Sequence, residues 1–125
     1  MTALLDSWVW IEYFRDGPRA KDAAGYIEGN TDICISSVTV AEVFRFLLHS
    51  ETKALAEKLT SWMMRRAHLL PVSAEIAWSA AELKHQHKWG LGDALIYATT
   101  LMQKATLVTG DSDFKEVQGI VYLGK

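Results

Sequence analysis

The chain has 125 residues, half of them hydrophobic, and a formal net charge of −2 at pH 7, which suits one folded domain over residues 1–125 with a sizeable core. That charge is not the footprint of a strong nucleic-acid binder and leaves room only for a weak or transient one. A single cysteine excludes an intrachain disulfide, and no apolar run reaches membrane-spanning length. Residues 1–6 lack the basic and apolar regions of a signal peptide, so a cytoplasmic protein with no membrane partner is expected.

Residues 3–5 read as a short buried strand that ends in Asp6. Ser7 is placed to cap a helix over 8–15, which Gly17-Pro18 breaks, and Pro18 suits the first turn of a second helix to about Glu28. Gly29-Asn30 is a turn before a strand at 32–35. Ser36 or Ser37 then caps a helix to about His49. Residues 51–67 form another helix with Leu55, Leu59, Trp62 and Met63 on one face. A strand at 68–72 contains Pro71, which confines it to a sheet edge. Ser73 caps a helix to about Lys88. Gly90 and Gly92 punctuate before a helix at 93–103 that is apolar almost all round. Strands at 106–109 and 120–123 close the chain, and the GDSDFKEVQG between them has room for one helical turn.

Strands separated by helices predict a three-layer α/β/α sandwich around a mostly parallel sheet of four to five strands. Right-handed crossovers place the carboxyl ends of such strands at one edge, where ligands bind. Asp6 and Asp111, each just beyond an apolar strand, should share that edge. Glu42 lies in the second helical turn after the 32–35 strand, with apolar Val38 and Phe46 at i±4. Asp93 heads the apolar helix.

Each acid has an ordinary explanation. Glu42 can reach solvent or pair with Arg45, Asp93 and Asp6 can be N-caps, and Asp111 or Asp113 can form an Asx-turn. Together these explanations strain. Two carboxylates about 4 Å apart at an effective dielectric near 20 repel by roughly 4 kcal/mol. Against a net stability on the order of 5–15 kcal/mol, several such pairs need protons or a cation. Arg45 is the only basic residue in the four acidic stretches, so a hard divalent ion, Mg²⁺ or Mn²⁺, is the natural partner. Phosphodiester hydrolysis is the reaction class that most often uses such an ion.

LLDSWVWIEYF at 4–14, ISSVTVAEVF at 35–44, LGDALIYATT at 91–100 and LVTGDSDF at 107–114 resemble, in order and setting, the four acidic motifs of PIN-domain proteins, most closely VapC-type toxin ribonucleases. The acids are separated by 36, 51 and 18 residues from Asp6 through Glu42 and Asp93 to Asp111, as in short single-domain members. The resemblance implies that Asp6, Glu42, Asp93 and Asp111 are catalytic and hold metal, that Asp113 shares the metal or holds the loop, and that Ser7 and Thr109 support the acids. It further implies Mg²⁺- or Mn²⁺-dependent cleavage of RNA, a VapB-like antitoxin partner and a homodimer.

His85 and His87 are two apart and point to different helix faces, which argues against a zinc pair; Lys84 and Lys88 can meet a phosphate backbone. The five tryptophans are expected mostly in the core, with one of Trp8 and Trp10 available for a partner. Cys34 reads as a small buried hydrophobe. Two other readings use similar features. One is a non-catalytic RNA-binding or scaffold module. The other is a phosphoacceptor receiver domain, which would need an acidic pair near the first strands and a late-strand lysine that LVTGD lacks.

Overall fold

The computed structural model describes residues 2–125. Strand β1 (Thr2–Leu5) leads into α1 (Ser7–Phe14) and α2 (Ala20–Ile27), and β2 (Asp32–Ser36) into α3 (Ser37–Ser50) and α4 (Lys53–Arg66). Strand β3 (His68–Leu70) leads into α5 (Ala74–Gln86) and α6 (Leu91–Met102). Strand β4 (Thr106–Thr109) passes through a 3-10 turn (Ser112–Phe114) to β5 (Val121–Tyr122). The five strands pair in parallel in the order β3-β2-β1-β4-β5. This is the α/β sandwich expected from the alternation of elements, with β3 at an edge.

Side-chain alternation makes the layers. Ala3, Leu5, Ile33, Ile35 and Val108 share one sheet face and pack with Val9, Trp10, Ile27, Val43 and Met63 from α1 to α4. Leu4, Cys34 and Leu107 point the other way, against Ile96 of α6, Trp89 and Phe114. Both faces are covered, which is why these strands are apolar without a polar alternation. Helices α5 and α6 pack through Ala80, Ala94 and Ala98, small residues that let them approach, with Ile76 beside them. Burial pushes the Cys34 thiol up to about 11, in keeping with a role as a packed hydrophobe.

Several element ends differ from expectation, and each has a local cause. Asp6, not Ser7, caps α1: its carboxylate accepts the Ser7 backbone N–H at 2.8 Å. Helix α2 starts at Ala20, leaving Pro18 in the preceding turn. Thr52 caps α4 through the Leu55 N–H at 3.1 Å, so that helix begins at Lys53. Helix α6 begins at Leu91 behind Gly90, two residues earlier than predicted. Trp10 and Trp89 are buried as expected, but Trp78 on α5 is 75% exposed, and Trp8 is half-buried.

Glu12 is a buried carboxylate that latches the α1–α2 turn. Its Oε1 accepts from Arg15 Nη2 at 2.6 Å and Nε at 3.0 Å, and its Oε2 accepts the Arg19 N–H at 2.7 Å. Gly17 makes room for it, since a Cβ there would stand 2.6 Å from Glu12 Oε2. Replacing Glu12 with alanine strands these donors. Glu12→Ala should lower unfolding free energy by about 2 kcal/mol, measured by urea titration with the slope unchanged; a midpoint equal to that of the unmodified chain would refute the latch.

Candidate active site

The site forms where the strand order reverses direction, between β1 and β4. Leu5 pairs with Val108, so the next residues outward, Asp6 and Thr109, emerge side by side. The Asp6 N–H donates to Val108 O at 3.0 Å. Thr109 Oγ1 donates to Asp6 Oδ2 at 2.6 Å and accepts the Asp111 N–H at 3.0 Å, tying the two strand ends together. Asp111 Oδ1 in turn accepts the Asp113 N–H at 2.9 Å and caps the 3-10 turn.

Two helices bring the remaining acids. Glu42 projects from α3 and does not pair with Arg45; its Oε1 is buried with no hydrogen-bond partner among the described residues. Asp93 is the third residue of α6 and not its cap, a position held by Gly90. Oxygens of Asp93, Asp111 and Asp113 lie within 4.8 Å of one another. Asp6 and Glu42 stand outside that tight triad but feel the same field.

Burial pushes Asp6 up to about 6, with Glu42 and Asp111 adding repulsion and the Thr109 and Ser7 hydrogen bonds opposing it. Asp93 is pushed up to about 8, first by burial and then by Asp111, Asp6 and Asp113. Glu42 is raised by burial, an effect the Ser7 hydroxyl eases and Asp111 reinforces. That hydroxyl also lies 3.4 Å from Asp6 Oδ1.

This chemistry fits a hard cation. The donors are all carboxylate oxygens, and oxygens sharing one ion at roughly 2.0–2.5 Å stand up to ~5 Å apart. The partnerless buried Glu42 oxygen and the acids raised by burial and by one another's charge give such a cation something to compensate.

Two glycines shape the site without appearing among the residues read as functional. A Cβ at Gly92 would stand 2.9 Å from Glu42 Oε2, so its absence lets α6 approach α3 at the acid. Gly110, buried between Thr109 and Asp111, carries the Trp8 indole where a side chain would be. Trp8 is therefore spent on the site wall, and Trp10 is buried, so neither offers the exposed aromatic expected there. Lys84 donates from Nζ to Trp89 O at 3.2 Å, while His87 stacks on Trp89 with centroids 4.1 Å apart. Lys84 and Lys88 are both exposed, just before the helix that carries Asp93.

A family model described as PIN domain matches residues 3–120. The chain belongs to the PIN-domain family. No curated protein matches it. Among solved structures, this PIN domain is similar to a chain of a toxin–antitoxin complex from Klebsiella pneumoniae, at 27% identity and a TM-score of 0.80, with 97% of each chain covered. It shares its fold with VapC20 of Mycobacterium tuberculosis, described as a sarcin-ricin loop cleaving toxin, at 16% identity and a TM-score of 0.80 over 94% of this chain and 96% of that one. The same holds for FitAcB of Neisseria gonorrhoeae, at 22% identity and a TM-score of 0.76 over 96% of each chain. The receiver-domain reading falls here: such domains order their strands 2-1-3-4-5, whereas this sheet runs β3-β2-β1-β4-β5.

The raised acids give the PIN domain a pH-dependent stability. Both Asp6 and Asp93 hold protons more tightly folded than at the ordinary 3.8. Their stabilising share is therefore full below about pH 4 and is lost as pH rises, through about 6 for Asp6 and about 8 for Asp93. Thermal unfolding in EDTA should give a lower Tm at pH 8 than at pH 5. Asp93→Asn should narrow that gap and raise the Tm at pH 8 by on the order of 5 °C. A lower Tm for Asp93→Asn at pH 8 would instead identify the carboxylate as a structural acceptor.

Proposed function

We propose that this PIN domain is a metal-dependent endoribonuclease and the VapC-like toxin of a toxin–antitoxin pair. The observation that carries the reading is the gathering of Asp6, Glu42, Asp93, Asp111 and Asp113 at one sheet edge, with three of them within 4.8 Å. The similarity to a chain of a toxin–antitoxin complex at 27% identity supports the biological setting.

Asp93, Asp111 and Asp113 would hold a divalent ion of the Mg²⁺ or Mn²⁺ class, with Asp6 and Glu42 beside it. When bound, that ion supplies charge neutralisation at a phosphate and activation of water. Thr109 keeps Asp6 and Asp111 at a fixed separation by bonding to both. Ser7 holds Asp6 from the helix side. Glu42 keeps an unpartnered oxygen able to orient a water or take its proton. In-line hydrolysis then leaves 5′-phosphate and 3′-hydroxyl ends. The 2′-hydroxyl plays no chemical part, so preference for RNA rests on strand shape and contacts around the site. This reading includes a VapB-like antitoxin as inhibitor, a homodimer and work in the cytoplasm.

The test is incubation of the purified protein with labelled RNA and Mn²⁺ or Mg²⁺, with and without EDTA. Cleavage should require the ion and vanish in Asp6→Asn and in Asp93→Asn, both still folded by circular dichroism. Activity that survives in both variants would sink the assignment. Gly92→Ala presses on Glu42, whose Oε2 would lie 2.9 Å from the new Cβ. It should slow cleavage on the order of 10- to 100-fold, read as a fall in kcat with the fold retained; an unchanged kcat would show that the placement of Glu42 does not matter.

A further inference from the structure

A groove between α1 and α3 adjoins the acids at Ser7 and Glu42. Ser7, Ile11, Glu42, Arg45, Phe46 and His49 line it, and it encloses about 320 Å³. Ser7 and Glu42 belong to both the groove and the acidic cluster, so the two are continuous. Glu42, Arg45, Phe46 and His49 recur at i, i+3, i+4 and i+7, which is one face of α3. At 1.5 Å of rise per residue, Arg45 stands about 4.5 Å and His49 about 10 Å along the helix axis from Glu42. Arg45 and His49 are exposed and pair with no carboxylate among the described residues.

A polyanion approaching this protein meets an unfavourable net charge of −2 and a carboxylate cluster at the site itself. Cations placed next to the cluster are what let a phosphate chain lie across it. Arg45 presents a fork suited to phosphate oxygens. Ile11 and Phe46 supply the apolar wall that a sugar or base needs. Lys84 and Lys88 are exposed and lie near Asp93 in sequence.

We propose that the α1–α3 groove binds the single-stranded RNA on one side of the scissile phosphate, with Arg45 and His49 holding a neighbouring backbone phosphate. The proposal rests on the nuclease reading and deepens it. It makes Arg45 a binding residue that acts before chemistry. An acidic peptide is the competing occupant.

Two measurements test it. The first is steady-state cleavage of a short mixed-sequence single-stranded RNA with Mn²⁺ by the full chain and by Arg45→Gln. The second is binding of that RNA, and separately of a polyglutamate peptide, in the Asp93→Asn background over a range of salt. Arg45→Gln should raise KM about tenfold with little change in kcat. It should also make the salt dependence of RNA binding shallower by about 0.7 in log–log slope. Arg45→Lys should restore the slope, because it restores the charge.

Unchanged KM and slope in Arg45→Gln and in Arg45→Gln/His49→Ala, with the unmodified chain cleaving normally, would overturn the groove and leave the nuclease reading intact. Loss of polyglutamate binding with RNA binding unaltered would overturn it in favour of a protein partner. Weaker RNA binding by Arg45→Gln, in a chain that cleaves nothing, would keep the groove and remove the nuclease.

Discussion

Mutual repulsion among carboxylates in a poorly hydrated place is the constraint around which this molecule is organised. Parallel strands deliver their carboxyl ends to one edge, and β1 and β4 are neighbours there, so Asp6 and Asp111 emerge together. Helices α3 and α6 add Glu42 and Asp93 to the same place. Burial and like charge then push Asp6 and Asp93 upward, Asp93 to about 8. An arrangement this costly persists because the sheet, buried on both faces, over-determines where its strand ends lie.

The surrounding residues hold the acids in position without neutralising them. Thr109 bonds to Asp6 and to the Asp111 backbone, and Asp6 caps α1, so strand, helix and loop meet in one hydrogen-bonded unit. Gly92 and Gly110 remove side chains where Glu42 and Trp8 need the space. A side chain at either glycine would have to displace the Glu42 carboxylate or the Trp8 indole from its place beside the acids.

Glu12 shows that a buried acid is not by itself a site. It lies on the same helix that Asp6 caps, yet Arg15 and the Arg19 N–H satisfy it fully. The contrast with Glu42, whose Oε1 meets no donor, is the difference between a structural acceptor and a group left available for a ligand. Arg45, one helical turn beyond Glu42, stays out of that compensation and is available to an incoming anion instead.

The sequence alone determined the element order, the parallel sheet with β3 at an edge, and the family, because apolar periodicity and the four acidic stretches are local patterns. It also marked all five acids. It left Asp6 and Asp93 open to a reading as caps, and only the fold separated them: Asp6 is both cap and site residue, whereas Asp93 sits inside the first turn of a helix that Gly90 begins. The tight grouping of Asp113 with Asp93 and Asp111, the isolation of Glu42 from Arg45, the packing of Trp8 on Gly110 and the exposure of Trp78 were decided by the tertiary structure. The Asp113 grouping and the Trp8 packing depend on how far apart elements from distant parts of the chain come to rest, and the Glu42 side-chain direction and the exposure of Trp78 depend on what packs around their helices; side-chain periodicity carries no information about either.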